Sequence, residues 1–133
     1  MCSVVHEWRE HTAELELFVR APTPEDVFGE AAHAFGRLVE LVAKGEAVQR
    51  RVAVEGRDYA SLLVGFLEEL IYLADTDSFV PDQTRTELVE GGLSATLEGR
   101  LTEIQPIVKA ATYHRLEFRE RDGAWEARVV LDV

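Results

Sequence analysis

With one cysteine in 133 residues, Cys2, the chain has no partner for an intrachain disulfide and no cysteine cage for zinc. A long apolar run is also missing. The strongest, Leu62 to Ala74, is broken by Glu68 and Glu69 and is too short to cross a bilayer. The opening residues Met1 to Arg9 lack a basic segment followed by an apolar one, so no secretory signal is read and a reducing, cytoplasmic setting is expected. Basic residues are scarce: 14 Lys and Arg stand against 25 Asp and Glu, for a net charge of −11. Such a chain repels polyphosphate backbones and anionic lipid, so neither stable nucleic-acid binding nor membrane docking is expected. Basic proteins and divalent cations are the favoured partners. There is no phosphate-binding glycine loop, no Gly-x-Ser-x-Gly elbow and no His-Glu-x-x-His pair, and aromatics are not interleaved with basic residues as on a single-strand platform.

What remains is the size of one domain, residues 1–133, able to bury roughly two-thirds of its unfolded surface. No low-complexity linker or repeat divides it. Glu14-Leu15-Glu16-Leu17-Phe18-Val19 alternates as a half-buried strand, with Glu14 and Glu16 on its polar side. Thr23-Pro24-Glu25-Asp26 supplies a capping hydroxyl, a first-turn proline and acids for a helix start. The helical stripe is Phe28, Ala31, Ala32, Phe35, Leu38, Val39 and Val42, closed by Lys44-Gly45. A strand over 48–55 precedes a second helix near Tyr59 to Ala74, which carries Leu62, Leu63, Phe66, Leu70 and Leu73. Val64, Leu67 and Ile71 widen its apolar surface, predicting deep burial within the chain or a covering partner. Strands follow over 83–90 and 93–98, after the Pro106 break over 107–114, and at each side of Asp122-Gly123, ending at Asp132. The pattern predicts an α+β domain: two helices packed on largely antiparallel β-sheet, in two layers.

Strand parity puts Glu14 opposite the apolar Leu15-Leu17 face, and Asp132 opposite the Trp125-Ala127-Val129-Leu131 face. Carboxylates of this kind suit a hard cation, with the Val133 carboxylate or a carbonyl completing the shell; solvated surface acids are the alternative reading. Glu10-His11-Thr12-Ala13-Glu14 holds residue types for acid–base work, against a histidine simply bonded to backbone. Lys109 and His114, five apart, fall on opposite faces of a regular strand and do not make a catalytic pair. Glu68 and Glu69 read as the polar interruption of a buried helix, although Glu69, among Leu67, Leu70 and Ile71, would need a partner if enclosed.

Four segments in order, Glu10 to Glu14, Leu67 to Leu73, Lys109-Ala110-Ala111-Thr112-Tyr113-His114 and Val129 to Val133, resemble the archease family along essentially the whole chain. The resemblance implies a protein that is not an enzyme but activates the RtcB-type RNA ligase in tRNA splicing or RNA repair. It implies promotion of guanylate attachment to the ligase histidine and of repeated turnover, with GTP and Mn²⁺ used by the ligase and no nucleotide held by this chain. It also implies a divalent-cation site, Ca²⁺ before Mg²⁺ or Mn²⁺, made here by Glu14 and Asp132 with Val133 and Glu10 beside them. Lys109 and His114, with His11 and Glu69, are carried as site-supporting or ligase-contacting residues. Glu14 stands where the family usually has Asp; the extra methylene suits a flexible Ca²⁺ shell better than strict Mg²⁺ octahedra. The acidic apex is expected to border the ligase's cationic mouth and shift it toward the guanylylation-competent state. A general modulator of protein–RNA complexes ranks second, on the broad apolar surface of the second helix; a metal-dependent hydrolase, with His11 and His114 helping to activate water, ranks third.

Overall fold

A computed structural model describes residues 3–42 and 44–133; Cys2 lies outside them. The elements run β1 (Val5–His11), β2 (Glu14–Ala21), α1 (Pro24–Val39), β3 (Glu46–Glu55), α2 (Tyr59–Asp77), β4 (Phe79–Val89), β5 (Gly92–Leu101), β6 (Ala110–Arg121) and β7 (Ala124–Asp132). This is the expected α+β order, two helices on antiparallel strands. The strands divide into a four-stranded sheet, β1-β2-β7-β6, and a three-stranded sheet, β3-β5-β4. Both helices touch strands of both sheets.

Helix α1 starts where Thr23 predicts, and α2 has Asp58 as its cap. The Asp26 N–H donates to Thr23 Oγ1 at 3.1 Å, and the Ser61 N–H to Asp58 Oδ1 at 2.8 Å. Helix α1 ends earlier than its apolar stripe suggests, with extended backbone at Glu40. Its last carbonyls are taken by the 104–105 segment rather than by a glycine cap: the Gln105 N–H donates to Val39 O at 2.8 Å and its side-chain amide to Leu38 O at 2.7 Å. Val42 therefore falls outside the helix and is exposed, not part of the core. Gly36 is required where α1 crosses β4, since a Cβ there would collide with the Pro81 carbonyl.

Helix α2 runs a turn beyond Ala74 and passes almost directly into β4 through Ser78, which is left-handed at φ 56°. Strand β4 thus begins before 83, at Phe79, and carries Pro81 beside an irregularity between Pro81 and Gln83 that accommodates a residue without an N–H. The apolar flanks of α2 are covered inside the chain: Val64, Leu67 and Ile71 are all buried. Phe28, Phe66, Tyr59, Phe118 and Trp125 form a chain of ring contacts with centroids 5.3–6.1 Å apart, tying the β6–β7 hairpin to both helices. That hairpin turns at Asp122 and Gly123, both at positive φ, as an Asp-Gly turn requires.

Candidate functional site

At the end of the four-stranded sheet opposite this aromatic cluster, Glu14 of β2 faces Asp132 of β7 directly in register. Facing pairs in antiparallel strands share one side of the sheet, with Cβ atoms about 5 Å apart. His11 faces Glu14 from β1 and Ala110 faces Asp132 from β6, so the final row of the outer face reads His11, Glu14, Asp132, Ala110. The backbone closes the same corner. The Val133 N–H donates to Ala13 O at 3.2 Å and the Lys109 N–H to Asp132 O at 2.8 Å. Ala13, in the β1–β2 turn, is left-handed at φ 60°.

Glu10 pairs with Leu15 and so belongs to the opposite face of the sheet from Glu14 and Asp132. Lys109 precedes β6 rather than lying in it, so residues 107–109, read as strand from sequence, are not strand. Nor does regular strand parity relate Lys109 to His114 within β6. Thr112 pairs with Val130 but Glu117 with Arg128, so β6 advances five residues while β7 advances two. The three extra residues form a wide bulge that presents Tyr113, His114 and Arg115 to solvent, Tyr113 at 65 % exposure. Thr112 anchors its start, donating through Oγ1 to Val130 O at 2.9 Å and accepting the His114 N–H at 3.3 Å. Arg115, left-handed at φ 53°, reaches back so that its Nη2 lies 3.3 Å from Glu14 Oε2. On α2, Glu69 is exposed and needs no enclosed partner, whereas Glu68 accepts the Ala111 N–H at 2.9 Å and ties the helix to the start of β6.

One acid behaves against expectation. Glu16, expected on the polar side of its strand, is only 5 % exposed, with Arg9 at 3.5 Å and Arg128 at 3.6 Å. Arg9, hydrogen-bonded to Glu7 and close to Glu16, holds its proton above the ordinary arginine range. Arg128 also reaches Glu117 at 3.7 Å. Its Nε is buried without a hydrogen bond, a geometry that makes Glu16 the counter-charge this row depends on.

The two carboxylates on one face of this corner are oxygen donors of the kind a hard cation takes. The guanidinium on Glu14 is a positive charge standing where such a cation would bind. Among the described residues no group of three or more His, Cys, Asp and Glu side chains is arranged around a metal position.

Residues 6–133 match the profile of the Archease protein family. The chain belongs to the archease family. It is similar to the protein archease of Methanosarcina mazei, 33 % identical across 96 % of this chain and 95 % of that one. Against the protein archease of Pyrococcus furiosus it is 32 % identical, covering 97 % of this chain and all of that one. Among solved structures, the solution structure of protein 1598 of Methanobacterium thermoautotrophicum superposes with a TM-score of 0.75 at 29 % identity, over 96 % of this chain and 98 % of the other. The crystal structure of an archease from Thermotoga maritima, 20 % identical with a TM-score of 0.69, shares the fold. Archeases are activators of the RtcB-type RNA ligase and not themselves enzymes. No helix among the described residues of this archease is long and apolar enough to cross a membrane.

Proposed function

We propose that this archease promotes guanylylation of its RtcB-type RNA ligase and repeated turnover through the acidic corner formed by Glu14 and Asp132, with a divalent cation bound there. The supporting observation is the β2–β7 register, which sets the two carboxylates face to face on one side of the sheet. Glu14 and Asp132 would hold the cation, with the Val133 carboxylate completing its shell; Ca²⁺ suits the longer Glu14 arm best. The cation would supply positive charge at the corner. The chain's own residues do the rest: His11 borders the corner, Lys109 fixes the Asp132 main chain, and the Tyr113–His114 bulge offers an exposed aromatic and an imidazole to the ligase. With a net charge of −11, the protein is steered to a cationic partner surface and away from the RNA substrate.

Purified archease mixed with its own ligase, GTP and Mn²⁺ is expected to raise both the guanylylated fraction and the number of ligations per ligase. Asp132→Lys should abolish that stimulation while leaving the circular dichroism spectrum and Tm near native. Full stimulation by the folded D132K protein would remove the corner from the mechanism. The apolar flank of α2 on which a general modulator would rely is buried in the core through Val64, Leu67 and Ile71.

A further inference from the structure

The geometry points to Arg115 as a built-in competitor for the acidic corner, so that cation binding there releases the Tyr113–Leu116 bulge and the bulge in turn sets cation affinity. The inference rests on the corner being a cation site. Its Arg115–Glu14 contact joins residues 101 apart in sequence and links the bulge of β6 to the start of β2. A divalent cation shared by Glu14 and Asp132 would lie against a guanidinium 3.3 Å from one of its own ligand atoms. Like charges at that range cannot both stay, so the more strongly held one expels the other.

The guanidinium is the weaker contender. Arg115 is 47 % and Glu14 30 % exposed, and an exposed ion pair of this kind is worth little. Arg115 also sits in the left-handed region, which a non-glycine residue occupies at a cost unless a contact compensates. Once Glu14 turns to the cation, that compensation goes. The three surplus residues between Thr112 and Glu117 have no ladder partner on β7 to hold them. Thr112 pins one end of the bulge, so the freedom gained falls on Tyr113, His114 and Arg115, the exposed residues beside the corner. Because coupling of this kind is reciprocal, a ligase that captures the bulge away from Glu14 would tighten the cation by the same factor. Cation and partner would then load the protein cooperatively.

The test uses Ca²⁺ alone, by isothermal titration and by amide NMR at low salt, on the native protein and two folded variants. Arg115→Asn removes the charge with a residue that tolerates the left-handed region; Arg115→Lys keeps the charge. Expected are Ca²⁺-dependent shifts of the Tyr113 to Leu116 amides in the native protein. Arg115→Asn should bind Ca²⁺ about fivefold tighter, the scale of one exposed ion pair, with those amide shifts largely lost. R115K should stay within about twofold of native. Equal affinity of R115N and native protein, or equal tightening by R115N and R115K, overturns the inference while leaving the cation site standing. Absence of Ca²⁺ binding by all three overturns both the inference and the cation reading, and ligase stimulation by the same samples then shows whether the activator role survives without a metal.

Discussion

The middle rows of the two sheets' outer faces handle charge differently. Across the four-stranded sheet, successive rows read Arg20 with Glu126, Phe18 with Arg128, Glu16 with Val130 and Glu14 with Asp132, and ion pairs link these rows to Arg9, Glu117 and Arg115. Across the three-stranded sheet the rows are Gln49-Glu98-Gln83 and Arg51-Thr96-Arg85. None of Glu98, Arg51 and Arg85 has an ion-pair partner among the described residues. In a chain with so large an excess of acids, pairing an arginine needs no special supply; it needs register. The first face has opposite charges in facing or diagonal positions within reach, and one acid becomes buried by them. The second gives Glu98 no facing residue of opposite charge, only the arginines of the next row, and leaves it exposed.

The largest expected effect that probes this difference is Glu16→Ala. It leaves Arg9 with Glu7 and Arg128 with the more distant Glu117, and because both arginines retain solvent contact the loss should be about 2 kcal/mol rather than the full cost of a buried pair. Glu98→Ala on the open face should change stability by less than about 0.5 kcal/mol in the same urea titration. Similar losses at the two positions would break the contrast. A double-mutant cycle sharpens it: Glu16 with Arg128 should couple by about 1 kcal/mol, Glu98 with Arg85 by less than about 0.3 kcal/mol. Next in size comes Glu126→Ala, which removes a 2.5 Å contact to Arg20 and should cost about 1 kcal/mol, part of it already lost to native protein at 1 M NaCl.

The smallest effect lies off both faces, at the start of α2. The Asp58 carboxyl is held below its ordinary range, chiefly by the backbone N–H of Ser61 that donates to it. Its capping contribution is therefore complete above the unfolded value of about 3.9 and fades as pH falls through the lower native one. Asp58→Asn, which still caps, should flatten the acid limb of Tm against pH while moving the Tm at pH 7 by no more than a few degrees. An unchanged acid limb would refute that assignment.

Much of this was legible from residue types alone because it is local. The Thr23 N-cap, the Asp-Gly hairpin, the alternation along β5 and the polar parity of Glu14 and Asp132 each depend on a few neighbouring residues. Parity says which side of its own strand a residue occupies, but not which strand lies beside it. The pairing of β2 with β7, which brings residues 14 and 132 together, joins distant parts of the chain and came into view in the sequence only through resemblance to a family. The burial of Glu16 escaped for the same reason, since Arg9 and Arg128 become its neighbours through two separate registers. The β6 bulge escaped because three unpaired residues leave no signature when Ala110 to Arg121 carries strand-forming types on either side. Early termination of α1 was likewise decided elsewhere, by Gln105 reaching its carbonyls.

The hydrogen bond from the Val133 amide to Ala13 has a practical side for anyone handling this protein. Whatever polypeptide is appended after Val133 emerges next to Glu14, and an affinity handle there would crowd the acidic corner and add its own histidines to any cation titration. Strand β1 enters the same sheet from the far side, with Val5 six residues and about 20 Å short of His11. A handle belongs at that end.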